Sequence, residues 1–535
     1  MYAEVKTVAF IGVEARPIDV QVQVASGLPA FNIVGLPDKA VAESRERVRA
    51  ALNALGLGLP PKRITVNLAP ADVPKYGSHY DLPIILGLMA ATEAISKEPL
   101  SKYLVLGELA LDGSISSVVG ALPASIGANR LNLGLICPAD CGSEAAWASS
   151  DMDILAPNHL LNLVNHFKGT QVLSAPQPKI NSKKETDETL PDMADIKGQE
   201  GAKRCLEIAA AGGHNLLMSG PPGAGKTMLA SRLPTILPPL SSEEMLEISM
   251  IQSLAGELTG GALKENRPFR SPHHSATMAA LVGGGSKPKP GEVALAHHGV
   301  LFLDELPEFS AQVLDSLRQP LEDGETSIAR ANHRITYPSK IQLVAAMNPC
   351  RCGKAFEPGY ACSKGKNCAE RYQSRISGPL LDRIDLQIEV PAVSALDLLD
   401  DSPVETSQTI RERVIKARLI QKERFKNLNV SHDTLNASCS AALLEQIAAP
   451  DELGKKLLKD AAVKLNLSAR GFHKALRVAR TLADLESCER VNRSHIAEAL
   501  SYRGLNREIT GQTPNTISDT NSEKNNQHGG FKREF

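Results

Sequence analysis

The chain has 535 residues with 59 Lys and Arg against 60 Asp and Glu, a formal net charge of −1. That balance excludes a polybasic protein, so any nucleic-acid contact must come from local patches or a ring-shaped assembly. The length suits roughly three or four domains and core-forming residues are plentiful at 42%, no apolar run is long enough to span a bilayer, and without a signal peptide ahead of Met1-Tyr2-Ala3-Glu4-Val5 the expected compartment is cytoplasmic.

Residues 1–167 read as one α/β domain. Residues 5–10 and 18–24 are expected strands, the second with period-2 alternation. Residues 39–55 form a charged amphipathic helix that ends before Gly56, and residues 63–68 form another strand. Residues 82–94 form an apolar helix with Pro83 in its first turn, where proline is tolerated. Residues 104–113 read as strand and turn. The segments Leu106-Gly107-Glu108-Leu109-Ala110-Leu111-Asp112-Gly113, Val119-Gly120-Ala121-Leu122 and Pro74-Lys75-Tyr76-Gly77-Ser78 resemble the proteolytic domain of Lon proteases. The resemblance implies a fold like domain 2 of ribosomal protein S5. The Ser–Lys dyad of Lon is not matched: its nucleophile position falls at His79 and its lysine position at Pro123. Ser78 has no base at the expected place, and a hydroxyl without one is a poor nucleophile. The domain is therefore expected to be a structural or interaction module.

Residues 168–191, polar and proline-bearing, read as a linker. The next unit is assigned to residues 192–392. Residues 195–200 lead into a helix over 201–211. Then comes Gly220-Pro221-Pro222-Gly223-Ala224-Gly225-Lys226-Thr227, which fits the P-loop pattern G-x-x-x-x-G-K-[ST]. It sits between a short apolar run, Asn215-Leu216-Leu217-Met218-Ser219, and a helix opening at Met228. Such a turn aims backbone N–H groups and a helix N-terminus at a polyphosphate. Lys226 would reach the β- and γ-phosphates of ATP and Thr227 would ligate Mg²⁺. Downstream, Gly299-Val300-Leu301-Phe302-Leu303-Asp304-Glu305 reads as a buried parallel strand ending in two acids. Asp304 is placed to hold Mg²⁺, and Glu305 to orient or deprotonate the attacking water. Together these predict an ATPase core.

Between the two motifs, residues 240–253 are helical. Residues 283–291, Gly-Gly-Gly-Ser-Lys-Pro-Lys-Pro-Gly, cannot be a helix. They form a solvated loop or one presented to a ligand, with Lys287 and Lys289 available for phosphate. The pairs His273-His274 and His297-His298 have no carboxylate at ligand spacing and read as structural or nucleotide-proximal.

Residues 310–321 are an expected helix. Residues 326–337 read as a β-hairpin with a basic tip, where Arg330, His333 and Arg334 are DNA-contact candidates. Residues 341–349 are a buried strand ending at Asn348, which is placed to hydrogen-bond the γ-phosphate or the attacking water. Cys350, Cys352, Cys362 and Cys368, spaced C-x-C-x₉-C-x₅-C, read as a Cys₄ loop over 350–368 for structural Zn²⁺, with free thiols as the alternative.

Residues 371–386 resemble the arginine-finger region of AAA+ proteins in the magnesium-chelatase and minichromosome-maintenance group. By that match Arg383 would reach the γ-phosphate bound by a neighbouring subunit, with Arg375 as runner-up. Residues 393–506 read as a helical lid domain with helices over 406–423, 441–448, 454–465 and 468–485. The last resembles a lid helix with a sensor-2 arginine: Arg470 would contact the γ-phosphate in cis, while Arg477 and Arg480 are expected in helix-surface pairs. Residues 507–535 are polar and expected to be disordered.

The whole chain resembles the ComM/YifB family of magnesium-chelatase-like AAA+ ATPases. The carriers are Phe31-Asn32-Ile33-Val34-Gly35-Leu36-Pro37-Asp38, Val66-Asn67-Leu68-Ala69-Pro70-Ala71-Asp72, Phe269-Arg270-Ser271-Pro272-His273-His274-Ser275 and Phe302-Leu303-Asp304-Glu305-Leu306-Pro307-Glu308-Phe309. The resemblance implies a homo-hexameric DNA motor, acting on single-stranded, forked or branched DNA. It would branch-migrate DNA during integration in natural transformation, with recombination proteins as partners. The alternatives are a remodeller of protein substrates and a chelatase-type metal-insertion motor.

Overall fold

A computed structural model gives the fold and describes residues 1–179, 191–285, 289–329, 334–353, 367–393, 404–431 and 434–503. The first nine strands belong to the N-terminal unit: β1 Tyr2–Ile11, β2 Glu14–Ala25, β3 Ala30–Val34, β4 Arg63–Ala69, β5 Tyr103–Val105, β6 Glu108–Leu109, β7 Ile115–Ser116, β8 Gly134–Ile136 and β9 Ile154–Leu155. Seven of them form one mixed sheet in the order β3-β4-β2-β1-β5-β8-β9, while β6 and β7 pair separately. β1 and β2 are an antiparallel hairpin whose corner is Gly12, at φ +64. The helix Asp81–Ala91, buried along its whole length, packs on β1 and β2. Gly87 lets it come close, since a Cβ there would lie 2.7 Å from Val22 Cγ2.

The Lon-like positions are tied up internally. Lys75 is fully buried and its Nζ donates to the Pro70 carbonyl; Ser78 Oγ donates to Glu108. His79 is buried with Nε2 on the Val8 carbonyl at 2.9 Å, and burial pushes its imidazole down to about 4. Pro123 is buried in the helix Ala121–Arg130.

The second unit carries β10 Leu216–Ser219, β11 Phe269–Arg270, β12 Gly283–Gly284, β13 Lys289–Pro290, β14 Val300–Leu303, β15 Glu325–Ala329, β16 Arg334–Pro338, β17 Gln342–Met347 and β18 Leu386–Glu389. Five of these make a parallel sheet, β11-β14-β17-β10-β18. Every residue of β10, β14 and β17 is buried, as expected of strands covered on both faces. Alternate residues feed two cores. Leu216, Met218, Phe302 and Val344 meet the helices Glu200–Gly212 and Lys226–Ile236, and Leu217, Leu301, Leu343 and Ala345 meet Val313, Leu314 and Leu380. Helices Ser407–Asn427, Ala441–Ile447, Glu452–Lys464, Ala469–Leu485 and Arg493–Ser501 pack on the first of these cores.

Three sequence expectations change. The helix foreseen over 310–321 is two short ones, Ala311–Ser316 and Arg318–Asp323, meeting at Leu317. The glycine-rich run forms a two-residue ladder, β12 with β13, after the helix Met278–Val282 stops at Gly283 (φ +102). Arg480 makes no surface pair: it is 1% exposed and bonds Asp484 Oδ1 (3.1 Å) and the carbonyls of Ile447, Cys488 and Glu489. Arg477, half-buried, donates to the Cys439 carbonyl at 2.6 Å. Lys287, Arg330, His333, Cys362 and the tail 507–535 lie outside the described residues.

The two units touch at defined points. Trp147 Nε1 donates to the Gly261 carbonyl at 3.0 Å and Gly120 N to the Ser253 carbonyl at 3.2 Å. The β1–β2 corner packs on the β15–β16 hairpin: Ile11 and Val13 join Ile251, Leu295, Ile328, Ile335 and Tyr337 in one apolar cluster. A Cβ on Gly12 would lie 2.3 Å from the Thr336 carbonyl oxygen.

Candidate active site

Strand order builds the site. β17 lies between β10 and β14, so the C-terminal ends of the three strands bring the P-loop, Asn348 and the Asp304-Glu305 pair side by side. Gly220 must be glycine: a Cβ would meet the Val390 carbonyl oxygen at 2.1 Å. Gly223 and Gly225 are left-handed, at φ +78 and +84, and a Cβ on either finds nothing within 4 Å. The loop Gly220, Pro221, Pro222, Gly223, Ala224, Gly225 thus presents an open concave face ahead of the helix N-terminus, which suits a polyphosphate.

Lys226 Nζ, 8% exposed, donates to the carbonyls of Gly220 (2.7 Å) and Pro221 (2.9 Å) and to Asn348 Oδ1 (3.1 Å). Burial pushes its pKa down, opposed by Asp304 and Glu305. Thr227 Oγ1 donates to Asp304 Oδ2 at 2.9 Å. A hydroxyl and a carboxylate in contact are two hard oxygen ligands, a fit for Mg²⁺. Asp304 Oδ1 accepts the Glu305 N–H at 2.9 Å. Glu305 itself has φ +50, a left-handed backbone that costs a non-glycine residue of order 1–3 kcal/mol. The strain turns the half-exposed Glu305 carboxylate toward His274, whose Nδ1 lies 3.4 Å from Oε2. His274, from a pair read in the sequence as structural or nucleotide-proximal, is the one that reaches Glu305; its nearness comes from β11, which pairs with β14. The donor set therefore fits ATP with Mg²⁺.

The arginines divide between two edges of the sheet. Arg375 pairs with Glu308 at 3.1 Å, on the Glu305 side. Arg383 is elsewhere: Nη1 donates to the Pro379 carbonyl at 2.6 Å and Nη2 pairs with Glu322. Asn215, just before β10, donates to the Arg383 carbonyl at 2.9 Å. Arg470 Nη1 lies 3.6 Å from Asp382 Oδ2. Asn215, Glu322, Arg383, Arg470, Lys474 and Arg477 line a cleft of about 450 Å³. Asn215 precedes Gly220 by five residues, roughly 16 Å of extended chain. Arg470 therefore does not face its own P-loop, which corrects the cis contact expected for it. Sequence could not show this, because the docking of helix Ala469–Leu485 on residues 381–385, through Lys474 Nζ to the Leu381 and Ile384 carbonyls (3.3 and 2.9 Å), is a tertiary fact.

The other candidates separate. Cys350, Cys352 and Cys368 come together with their sulfurs all within 4.8 Å of one another. Arg334, exposed, donates to Ser327 Oγ at 3.2 Å across the hairpin. Lys289 is exposed on β13. His297 and His298 close on Glu247 at 3.0 and 2.6 Å. His297 Nδ1 accepts the Lys340 N–H at 3.0 Å, which fixes the ring proton on Nε2. That nitrogen donates to Glu247, so the cluster is a hydrogen-bonded brace and not a metal site.

Comparison with known proteins adds to this geometry. Residues 192–398 match the family model of magnesium chelatase, subunit ChlI; residues 20–140 match subunit ChlI of Mg-chelatase, and residues 404–503 its C-terminal model. The protein YifB of Salmonella typhimurium is 43% identical over 506 residues, 94% of this chain and 97% of that protein. The competence protein ComM of Haemophilus influenzae is 43% identical over 503 residues, 93% and 96% of the two chains. The magnesium-chelatase 38 kDa subunit of Rhodobacter capsulatus is 26% identical over 341 residues, 58% of this chain and 86% of that subunit. Among the described residues no helix is long and apolar enough to cross a membrane. The family implies ATPase activity with ATP and Mg²⁺ and an oligomeric state. The chain belongs to the ComM/YifB family of magnesium-chelatase-like AAA+ proteins.

Proposed function

We propose that the chain is one subunit of a homo-hexameric ATP-driven DNA motor, with helicase or branch-migration output that promotes integration of incoming DNA in natural transformation and recombination. The observation that carries the ring is the separation of Arg383 and Arg470 from the chain's own Lys226. Two arginines that line a polar cleft away from their own P-loop serve a phosphoryl group only if another subunit's P-loop faces them, and head-to-tail contacts of that kind close into rings. ATP supplies the phosphoanhydride that is cleaved. Lys226 and the loop amides would hold the β- and γ-phosphates, Thr227 and Asp304 would hold Mg²⁺, and Glu305 would orient the attacking water and take its proton. Asn348 fixes the Lys226 ammonium and faces the same water. Arg383 and Arg470 stabilise the developing charge from the neighbouring subunit.

DNA as the substrate is supported by the competence protein among the relatives and by the basic hairpin that bears Arg334. Six such hairpins around a pore would follow a phosphate backbone without reading bases. The magnesium-chelatase subunit among the relatives favours a second reading, a motor for metal insertion. Measuring ATP hydrolysis with and without single-stranded and forked DNA, beside Lys226→Ala, decides. Stimulation by DNA, abolished in the variant, is expected. Hydrolysis indifferent to DNA would move the assignment to metal insertion or to protein remodelling.

A further inference from the structure

We propose that Cys350, Cys352 and Cys368 bind a zinc ion that latches the nucleotide site. Cys350 is fully buried, Cys368 is 9% exposed and Cys352 is half-buried. Cys350 Sγ and Cys352 Sγ are 2.9 Å apart, and all three sulfurs fall within 4.8 Å of one another. Tetrahedral Zn–S bonds of about 2.3 Å put sulfurs about 3.8 Å apart. The three thiols therefore need to shift by only about 1 Å to take the ion. Their softness selects Zn²⁺ over Mg²⁺ or Ca²⁺. On binding, the three thiols become thiolates and their protons pass to solvent.

The position of the cluster gives it a role. Cys350 follows Asn348-Pro349, and Asn348 Oδ1 is the 3.1 Å partner of Lys226. From the other side, helix Asn367–Gln373 carries Cys368, and its Gln373 Nε2 donates to the Pro349 carbonyl at 3.1 Å. Gly353 N donates to the Cys350 carbonyl at 2.9 Å. With φ +79, Gly353 packs so tightly on the P-loop that a Cβ there would lie 2.6 Å from Pro222 Cδ. The two chain segments that meet at the sulfurs are thus the two that clamp Pro222 and Pro349. Zinc joining them fixes Asn348 and the P-loop in register. The coupling rests on the ATPase reading; the metal itself does not.

The full-length protein, purified without chelator, is expected to hold about one zinc per chain by elemental analysis. A mercurial should release that zinc to a colorimetric indicator. Stripping the ion should weaken binding of a fluorescent ATP analogue by about tenfold, the lower end of what loss of supporting contacts costs a metal site, and Zn²⁺ alone should restore it. Cys352→Ser, at the most exposed of the three positions, keeps the test independent of global folding: the variant should hold zinc more weakly while its circular dichroism is unchanged. A wild-type chain that holds no zinc and takes up none on reconstitution, with a Cys350–Cys352 disulfide or three freely alkylated thiols instead, overturns the site. Zinc that can be removed without changing nucleotide affinity overturns the latch. A zinc-loaded chain that binds no nucleotide counts against the ATPase reading and leaves the metal site standing.

Discussion

Glu305 shows how one residue links backbone strain to chemistry. Its left-handed φ of +50 persists because Asp304 Oδ1 takes its N–H and the buried β14 holds the turn in place. The strained position holds the carboxylate beside His274, and under the proposed function it would take the proton of the attacking water. Glu305→Gln should keep the shape and remove the base, so hydrolysis should fall by roughly 10²–10³-fold while nucleotide binding survives, as for loss of a general base. Equal loss of binding would mean that Glu305 holds the cation instead. His79 gives a pH prediction. Burial lowers its pKa from 6.5 to about 4, so the unfolded chain binds the extra proton first. Its contribution is intact above pH 6.5 and is lost as pH falls toward 4, by roughly 3 kcal/mol at 1.36 kcal/mol per unit. Once the intrinsic pH dependence of exchange is divided out, protection of the amides in β1 and β2 should fall between pH 6.5 and 4.5 in the wild type, and His79→Gln should flatten that dependence. An unchanged profile would place the acid sensitivity elsewhere.

At the scale of elements, the hairpin β15–β16 is the part that separates a DNA motor from its rivals. Arg334→Ala should weaken DNA binding and reduce the slope of log affinity against log salt by about one per subunit engaged, with basal hydrolysis kept. An unchanged slope would remove Arg334 from the DNA path. The strands and loops around the P-loop were legible in sequence because each carries a local signal: apolar runs of three residues in β10 and four in β14, glycines for the turn between strand and helix, acids at the end of β14. Arg480 was misread because burial of a guanidinium depends on carbonyls from Ile447, Cys488 and Glu489, which no pattern within its own helix encodes. Similarly, the break at Leu317 has no glycine to announce it. His274 reached Glu305 through pairing of β11 with β14, a non-local contact that local periodicity cannot express.

For the whole molecule, the test of the ring is complementation. Lys226→Ala and Arg383→Ala chains should each be nearly inactive, the second by about 10³-fold or more if Arg383 acts as a finger. Mixed together, they should recover part of the activity, because some interfaces then combine an intact P-loop with an intact Arg383. No recovery after verified exchange of subunits would confine catalysis to single chains. The corner at Gly12 has a mechanical consequence. The Thr336 carbonyl sits where a side chain at residue 12 would have to be, and Ile11 and Val13 are buttressed by Ile335 and Tyr337. Force on the hairpin is therefore not absorbed by its own two strands. It would pass through the corner into β1 and β2, the middle of a seven-stranded sheet, so a hairpin that moves DNA as proposed would brace against the N-terminal unit.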